Sequence, residues 1–178
     1  LVFAPNLGWP EVDLRTPIAA ATGLEVELEN AANACVLAAV WFDHTMACGN
    51  LVVVTVSEGI GTGVLINGQL ARGLNGMAGE FGHVQFDPNG PVCGCGSRGC
   101  WEVFASNRAA LRYYSESLSK SKREDLSFLE LLGRADDGDA KASEALEKMA
   151  DSLGRGMRIV VAGLAPERVI VIGDLTRS

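Results

Sequence analysis

Residues 79–102 read GEFGHVQFDPNGPVCGCGSRGCWE, and this stretch decides how the rest of the chain is interpreted. A histidine precedes three cysteines in the spacing H-x9-C-x-C-x4-C. Three thiolates and one imidazole form the ligand set of a closed, tetrahedral zinc site. We therefore predict a structural zinc ion held by His83, Cys93, Cys95 and Cys100. The alternative is a set of ordinary reduced cysteines in a loop, and for His83 a satisfied polar residue that is not a ligand.

The remaining cysteines and the surrounding glycines support metal binding. Five cysteines is an odd number, which fits metal ligation in a reducing compartment better than a disulfide framework. We expect Cys35 and Cys48 to be small core residues. Glycine is dense from residue 73 to residue 99, and so long a loop needs something to order it. A bound metal would supply that order.

The composition is that of a folded domain or one large lobe, with 178 residues of which 48% are hydrophobic. A net charge of −7 argues against a surface that binds nucleic acid by itself, because phosphate contacts require clustered Lys and Arg. Any DNA-binding role therefore belongs to another part of a longer polypeptide.

The apolar runs are short. The longest, such as residues 51–56 and 159–164, fall far below the roughly 20 residues needed to span a bilayer. No basic segment precedes an apolar one as in a signal peptide, so we expect a cytoplasmic protein without a membrane contact. The chain begins without Met and ends just after an apolar run, so we expect it to be incomplete at both ends.

Strand and helix patterns alternate along the chain, which is the signature of an α/β fold. Asn67-Gly68 supplies the positive φ angles of a tight hairpin between two of the strands. A glycine-rich turn, EGIGTG, is expected to join the first two strands of this meander. We predict strands at residues 25–28, 51–56, 63–66, 69–72 and 168–172, and helices at residues 30–42, 102–118, 127–132 and 141–164.

Residues 79–102 resemble the signature of the ROK family, which groups bacterial sugar kinases with sugar-responsive repressors. Four weaker matches follow in the right order: PNLGW at 5–9, ENAANA at 29–34, GIGTGVLINGQL at 59–70 and PERVIVIG at 166–173. The resemblance implies an actin-like, ribonuclease-H-like fold, with a mixed sheet and packed helices. On this basis residues 1–28 form the lobe junction, and residues 29–178 form most of the large C-terminal lobe.

The resemblance also implies a sugar site. Asn30 matches a residue that hydrogen-bonds a sugar hydroxyl, and Glu80 and Glu102 match two sugar-facing carboxylates. His83 matches a histidine shared between the zinc ion and the sugar. Two carboxylates and an amide suit vicinal hydroxyls when they are held on rigid elements. The alternative for each glutamate is a solvated surface acid.

Two positions depart from the kinases of this family. Their general base is an Asp at the position of Ala31, and a methyl group cannot accept a proton. General base catalysis contributes about 10²–10⁴-fold to rate, so phosphoryl transfer should be nearly lost. The Gly-Thr pair of their phosphate turn is replaced here by Ser57-Glu58, and that carboxylate would oppose nucleotide phosphate.

The kinase phosphate motifs are otherwise incomplete. A D-x-G-x-T loop, expected near the start of an intact kinase, is missing from this sequence. Four residues of the glycine-rich stretch remain as a weak candidate phosphate turn: Gly59, Gly61, Thr62 and Gly63. The alternative is a glycine-rich connection within a hairpin.

We therefore predict the sugar-sensing effector domain of a ROK transcriptional regulator, catalytically impaired by Ala31, acting on DNA through a helix-turn-helix outside this chain. The second hypothesis is a lobe of a hexose or N-acetylhexosamine kinase that uses ATP and Mg²⁺ and in which Ala31 is an engineered knockout. The third is a zinc module for protein contacts. The resemblance suggests a homodimer, for which residues 141–164 are a candidate surface, with burial in the core as the alternative.

Overall fold

A computed structural model describes residues 2–4, 9–42, 48–122 and 124–176 of the chain. The N-terminal part contains a small antiparallel pair, β1 (Val2–Ala4) and β2 (Trp9–Val12), followed by α1 (Arg15–Thr22). Residues 25–30, where a strand was predicted at 25–28, form no regular element, so that prediction was wrong. Helix α2 (Ala31–Phe42) then confirms the predicted helix within one residue.

The main sheet has four strands in the order β5-β4-β3-β6. They are β3 (Leu51–Val56), β4 (Ile60–Ile66), β5 (Gln69–Leu70) and β6 (Arg168–Gly173). Strands β3, β4 and β5 pair antiparallel, whereas β6 runs parallel to β3. The sheet is therefore mixed, as predicted.

The hairpin between β4 and β5 turns at Asn67-Gly68, with φ angles of 51° and 75°, as predicted. Strand β4 begins earlier than expected, because Gly61 and Thr62 pair with β3 instead of lying in a turn. The connection between β3 and β4 shrinks accordingly to Ser57–Glu58–Gly59.

In the described part of the chain, four α-helices follow the glycine-rich loop: α3 (Glu102–Ala105), α4 (Asn107–Ser117), α5 (Phe128–Asp136) and α6 (Ala140–Leu164). The predicted helix at 102–118 is interrupted at Ser106, whose backbone is extended and whose side chain accepts a hydrogen bond from Ala109 N, capping α4. Helix α5 runs four residues beyond its predicted end. A capping box between Ser127 and Glu130 starts it.

Both faces of the sheet are covered, which explains the continuous apolar run of β3. Alternate residues point to opposite faces. Val52 and Val54 join the core formed with α3 to α6, while Leu51 and Val53 pack against Val36 of α2. Cys35 and Cys48 lie partly buried against this second core.

Helix α6 supplies much of the first core. Ala142, Ala145, Met149, Leu153 and Val160 are all buried along one face. The face that was a candidate dimer surface is thus largely used inside the molecule. Among the described residues, no helix combines the length and the apolar character needed to cross a bilayer.

Candidate functional site

The glycine-rich loop between β5 and α3 folds back on itself. Isolated bridges pair Gln85 with Cys100 and Val92 with Arg98. The peptide N–H of Gly99 donates to the Pro91 carbonyl at 2.8 Å. Gly99 has a φ of +64°, and a Cβ there would overlap the backbone of Asp87. The loop predicted at 73–99 therefore has two arms, and backbone hydrogen bonds hold these arms together.

This folding brings His83, Cys93, Cys95 and Cys100 together. Their ligand atoms all lie within 4.8 Å of one another. Cys93 Sγ is 3.6 Å from His83 Nδ1, and the sulfurs of Cys95 and Cys100 are 3.7 Å apart. Three sulfurs and one imidazole nitrogen at this separation form a donor set that could hold a metal ion. The residues present thus fit the metal site predicted from the spacing.

The three thiols differ in their surroundings. Burial, together with a hydrogen bond to Glu102, raises the pKa of Cys93 well above its ordinary value. Burial also raises the pKa of Cys100. Burial acts in the same direction on Cys95 as the largest single cause, but hydrogen bonds with Ser97, Cys93 and Cys100 together outweigh it and lower the pKa of the Cys95 thiol. Cys95 is therefore the first sulfur of the cluster to become a thiolate.

Two carboxylates flank the imidazole of His83. Glu102, at the start of α3, has a side chain only 7% exposed, and its Oε1 lies 3.7 Å from His83 Nδ1. The Cys93 thiol donates to the same oxygen at 2.8 Å, and the Ile60 N–H donates to Oε2 at 3.4 Å. Glu80 Oε2 lies 3.8 Å from His83 Nε2, with a side chain 43% exposed. Glu102 is therefore not a solvated surface acid, whereas Glu80 does face solvent.

Asn30 lies at the start of α2, where it has a structural task as well. Its Oδ1 accepts hydrogen bonds from Ala32 N at 2.8 Å and Asn33 N at 3.4 Å, which satisfies the open end of the helix. The amide nitrogen of Asn30 is the part of the side chain that this cap leaves for a ligand. Ala31, the first residue of α2, is exposed.

A polar network behind Asn30 was missed in the sequence. Glu29 Oε1 accepts from Asn30 N at 3.0 Å and from Asn33 Nδ2 at 3.1 Å, and Glu29 Oε2 forms an ion pair with Arg72 at 2.7 Å. The hydrogen bond from Asn33, followed by that from Arg72, lowers the pKa of Glu29. The i to i+4 spacing of Glu29 and Asn33 across the start of α2 could have indicated this pair. Arg72, 43 residues away, left no local signal.

The side chain of Asn33 is also a site candidate. Asn33 is buried, and its Oδ1 has no hydrogen-bond partner among the described residues. A buried carbonyl oxygen without a partner is costly unless a donor reaches it. A hydroxyl group of a bound ligand, or a water molecule, would donate the missing hydrogen bond to this oxygen.

Strand β4 connects the parts of the site. Its Gly61 and Gly63 lie against Ala32 of α2, while Thr62 Oγ1 accepts from the Phe81 N–H at 3.3 Å and donates to the Gly79 carbonyl. The Ile60 N–H reaches Glu102, as described above. The segments that carry Asn30, Glu80 with His83, and Glu102 thus all pack on residues 60–63.

The weak candidate phosphate turn does not form a turn. Gly61, Thr62 and Gly63 lie within β4 and pair with β3, and only Gly59 remains in the connection. Beside that connection, Glu58 lies 3.9 Å from Arg108, and both side chains are exposed. A cavity of about 300 Å³ opens there, lined by Glu58, Val92, Gly94, Glu102, Val103, Ser106, Arg108, Ala109 and Arg112.

Comparison with known proteins identifies relatives along the whole chain. The model of the ROK family matches residues 1–178. A xylose repressor from Bacillus subtilis is 36% identical over 178 residues, which is 100% of this chain and 45% of the repressor. A glucokinase from Thermotoga maritima is 36% identical over 187 residues, covering 99% of this chain and 59% of the glucokinase. The chain therefore spans about half the length of these curated relatives.

A solved structure gives the same result for the fold. A ROK family glucokinase from Streptomyces griseus, in complex with glucose and AMPPNP, superposes with a TM-score of 0.89 at 31% identity. The match covers 98% of this chain and 60% of that glucokinase. The α/β architecture and the actin-like, ribonuclease-H-like fold are thereby confirmed. Repressors and kinases both occur among the relatives, so similarity alone does not separate a regulator from an enzyme.

Proposed function

Because the chain belongs to the ROK family over residues 1–178, we propose that it is the sugar-sensing part of a transcriptional regulator that binds a hexose-like sugar without phosphorylating it. The observation that carries this proposal is the methyl group of Ala31 at the first position of α2. The family resemblance puts the general base of the kinases at this position. Without a base, the attacking sugar hydroxyl keeps its proton.

The neighbouring carboxylate is a poor substitute for that base. Both oxygens of Glu29 are engaged, one by Asn30 N and Asn33 Nδ2 and the other by Arg72. Its lowered pKa also makes Glu29 a weaker proton acceptor. Residues 29–33 therefore position Asn30, and they contain no carboxylate beside Ala31 that is free to act as a base.

The groups proposed to hold the sugar are Asn30, Glu80, His83 and Glu102. A donor amide and carboxylate acceptors on elements that converge on β4 suit a ligand with several vicinal hydroxyls. We propose that zinc is the metal of the neighbouring cluster, held by His83, Cys93, Cys95 and Cys100. Bound there, it would pin the loop and fix the orientation of the His83 ring.

The turn at Glu58 argues against nucleotide binding. Its carboxylate stands where the resemblance puts a threonine of the phosphate turn, and like charges would oppose a triphosphate. Arg108 already lies 3.9 Å from Glu58 and is available to pair with it. The missing base at Ala31 and the carboxylate of Glu58 at the phosphate turn thus both argue against phosphoryl transfer.

Calorimetry with D-xylose and with D-glucose, each with and without Mg-ATP, tests this function. We expect binding of at least one sugar with an affinity that ATP does not change, and no release of ADP. Glu102→Gln should weaken binding, whereas Glu147→Gln on the exposed side of α6 should not. ATP-dependent turnover by the unaltered protein would contradict the proposal. Absence of affinity for every monosaccharide would favour a zinc module for protein contacts.

A kinase is the second candidate, because a glucokinase is among the structural relatives, with a TM-score of 0.89. In that case Ala31 interrupts an otherwise working site, with ATP and Mg²⁺ as cofactors. In the full-length protein, Ala31→Asp, alone and combined with Glu58→Thr, should then restore phosphorylation. Continued inactivity of the double variant with sugar and Mg-ATP bound would reject the kinase.

The regulator is further proposed to act as a homodimer and to reach DNA through a helix-turn-helix outside residues 1–178. The net charge of −7 supports this division, because residues 1–178 offer no excess of cations for phosphate contacts. Sedimentation of the protein with and without sugar tests the dimer. A monomer at all concentrations would exclude it.

A further inference from the structure

Trp101 lies in the sequence between two residues of the candidate site but is not itself one of the proposed metal or sugar ligands. It follows the metal-cluster residue Cys100 and precedes Glu102. Its side chain is 1% exposed, which makes it the largest fully buried side chain among the described residues. The indole Nε1–H donates to the Ser152 carbonyl of α6 at 2.9 Å. The one polar atom of the ring is thus engaged away from the metal cluster.

The indole lies directly on Gly156 of α6. A Cβ at position 156 would overlap Cε2, Nε1 and Cδ2 of the ring, so no larger residue fits there without displacing Trp101. Glycine in a helix interior is unfavourable compared with alanine, so a contact of this kind is a physical reason to keep it. Gly154, two residues earlier in the same helix, is exposed and has no described heavy atom within 4 Å of a built Cβ.

On its opposite side, Trp101 contacts the arm of the loop that carries His83. Its peptide N–H donates to the Val84 carbonyl at 2.8 Å, and Val84 follows His83. The Phe86 ring stacks on the indole, with centroids 6.2 Å apart and planes at 17°. Trp101 therefore joins three parts of the molecule: the arm that carries His83, the arm that carries Cys100, and helix α6.

Rigid supports of this kind decide how well side chains that bind a ligand are oriented. Backbone movement at Trp101 must displace both neighbours, because Cys100 and Glu102 are its directly bonded residues. We propose that Trp101 is a positioning residue, which sets Cys100 for the metal and Glu102 for the sugar through its seat on Gly156. The part that concerns sugar rests on the proposed function, and the part that concerns the metal does not.

The test displaces the indole without touching either ligand-binding residue. Gly156→Ala is compared with Gly154→Ala, its matched control on the same helix, and with Val36→Ala, which destabilises the protein from the opposite face of the sheet. Each is made in a background in which Trp9 and Trp41 are Phe, so that fluorescence reports Trp101 alone. Trp101→Phe in the natural background removes the bond to Ser152 and serves if Gly156→Ala does not fold.

Three quantities are measured: Zn²⁺ affinity by competition with a chromophoric chelator, the visible spectrum of the Co²⁺-loaded protein, and affinity for D-xylose and D-glucose. Gly156→Ala should shift Trp101 emission to the red, lower Zn²⁺ affinity about 10- to 100-fold, and change the Co²⁺ bands that report tetrahedral geometry. Sugar affinity should fall by a similar factor. Val36→Ala should leave the Co²⁺ bands unchanged, because loss of stability alone does not alter the ligand geometry.

The outcomes separate the two proposals. If the unaltered protein binds no sugar, the proposed function fails, and the Zn²⁺ and Co²⁺ measurements still decide the role of Trp101. That role is overturned if Gly156→Ala or Trp101→Phe folds with the Co²⁺ spectrum and Zn²⁺ affinity of Gly154→Ala. A Co²⁺ spectrum that changes equally in Val36→Ala would overturn it as well.

Discussion

Gly63 of β4 lies directly beneath Ala32 of α2, so close that a Cβ at position 63 would overlap the Ala32 carbonyl oxygen. The same Cβ would lie 2.6 Å from Val36 Cγ2. A Cβ on Gly61 would lie 3.2 Å from that of Ala32. Glycine inside a strand often marks the close approach of another backbone. The packing of α2 thus gives a structural reason for these glycines that does not require a bound phosphate.

Gly63→Ala should destabilise the protein by about 1–3 kcal/mol, because the added methyl group forces α2 away from the sheet. Chemical denaturation measures the change in free energy of unfolding. Gly154→Ala is the control and should be neutral or stabilise by roughly 0.5–1 kcal/mol, since its Cβ points into open space in a helix. A Gly63→Ala protein as stable as the unaltered one would show that α2 does not pack here.

Removal of one sulfur from the metal cluster should unfold part of the structure. Cys95→Ser should lose the metal, and even a loss of about 2 kcal/mol would lower Tm by roughly 4–8 °C in a chain of this size. Elemental analysis and thermal melting give the two readings. Cys48→Ser is the matched control, because a serine can still donate to the Asn50 carbonyl that the Cys48 thiol contacts at 3.3 Å. Equal metal content in both variants would argue against a site at Cys95.

The Glu29 carboxylate should make stability depend on pH. Its pKa in the folded protein is lowered from an ordinary value of 4.5, first by the hydrogen bond from Asn33 and then by that from Arg72. A lowered pKa stabilises the fold above the ordinary value, and this contribution disappears as pH falls through the lowered value. Glu29→Gln should therefore be less stable than the unaltered protein at pH 7 and approach it under acidic conditions. Glu147→Gln controls for the loss of one charge, and a pH-independent difference would refute the argument.

The capping box of α5 should contribute measurably to stability. Ser127 Oγ accepts from Glu130 N at 3.3 Å, and Glu130 Oε2 accepts from Ser127 N at 2.8 Å. Ser127→Ala should cost about 1 kcal/mol, the usual effect of losing an N-cap side chain. Denaturant midpoints measure this, with exposed Ser119→Ala as the control. Identical midpoints for the two variants would show that the box is not formed in solution.

Several elements were predictable because their signals are local. The apolar runs of β3 and β6, the Asn67-Gly68 turn and the helix at Ala31–Phe42 all follow from the order of neighbouring residues. The strand predicted at 25–28 failed although EVEL alternates as a strand does, because a strand also needs a hydrogen-bonding partner and none of the described strands pairs with it. The break at Ser106 was missed because a serine that caps one helix is also compatible with the interior of a longer helix.

The sequence by itself determined the candidate ligand set, one histidine and three cysteines, and the absence of a carboxylate at Ala31, because both depend only on which residues occur and at what spacing. The tertiary structure alone decided that Glu102 is buried beside Cys93, that Arg72 holds Glu29, and that Trp101 sits on Gly156. Each of these contacts joins separate segments or removes a group from water. Burial and long-range approach are set by how the whole chain packs, and residue order carries no local record of them.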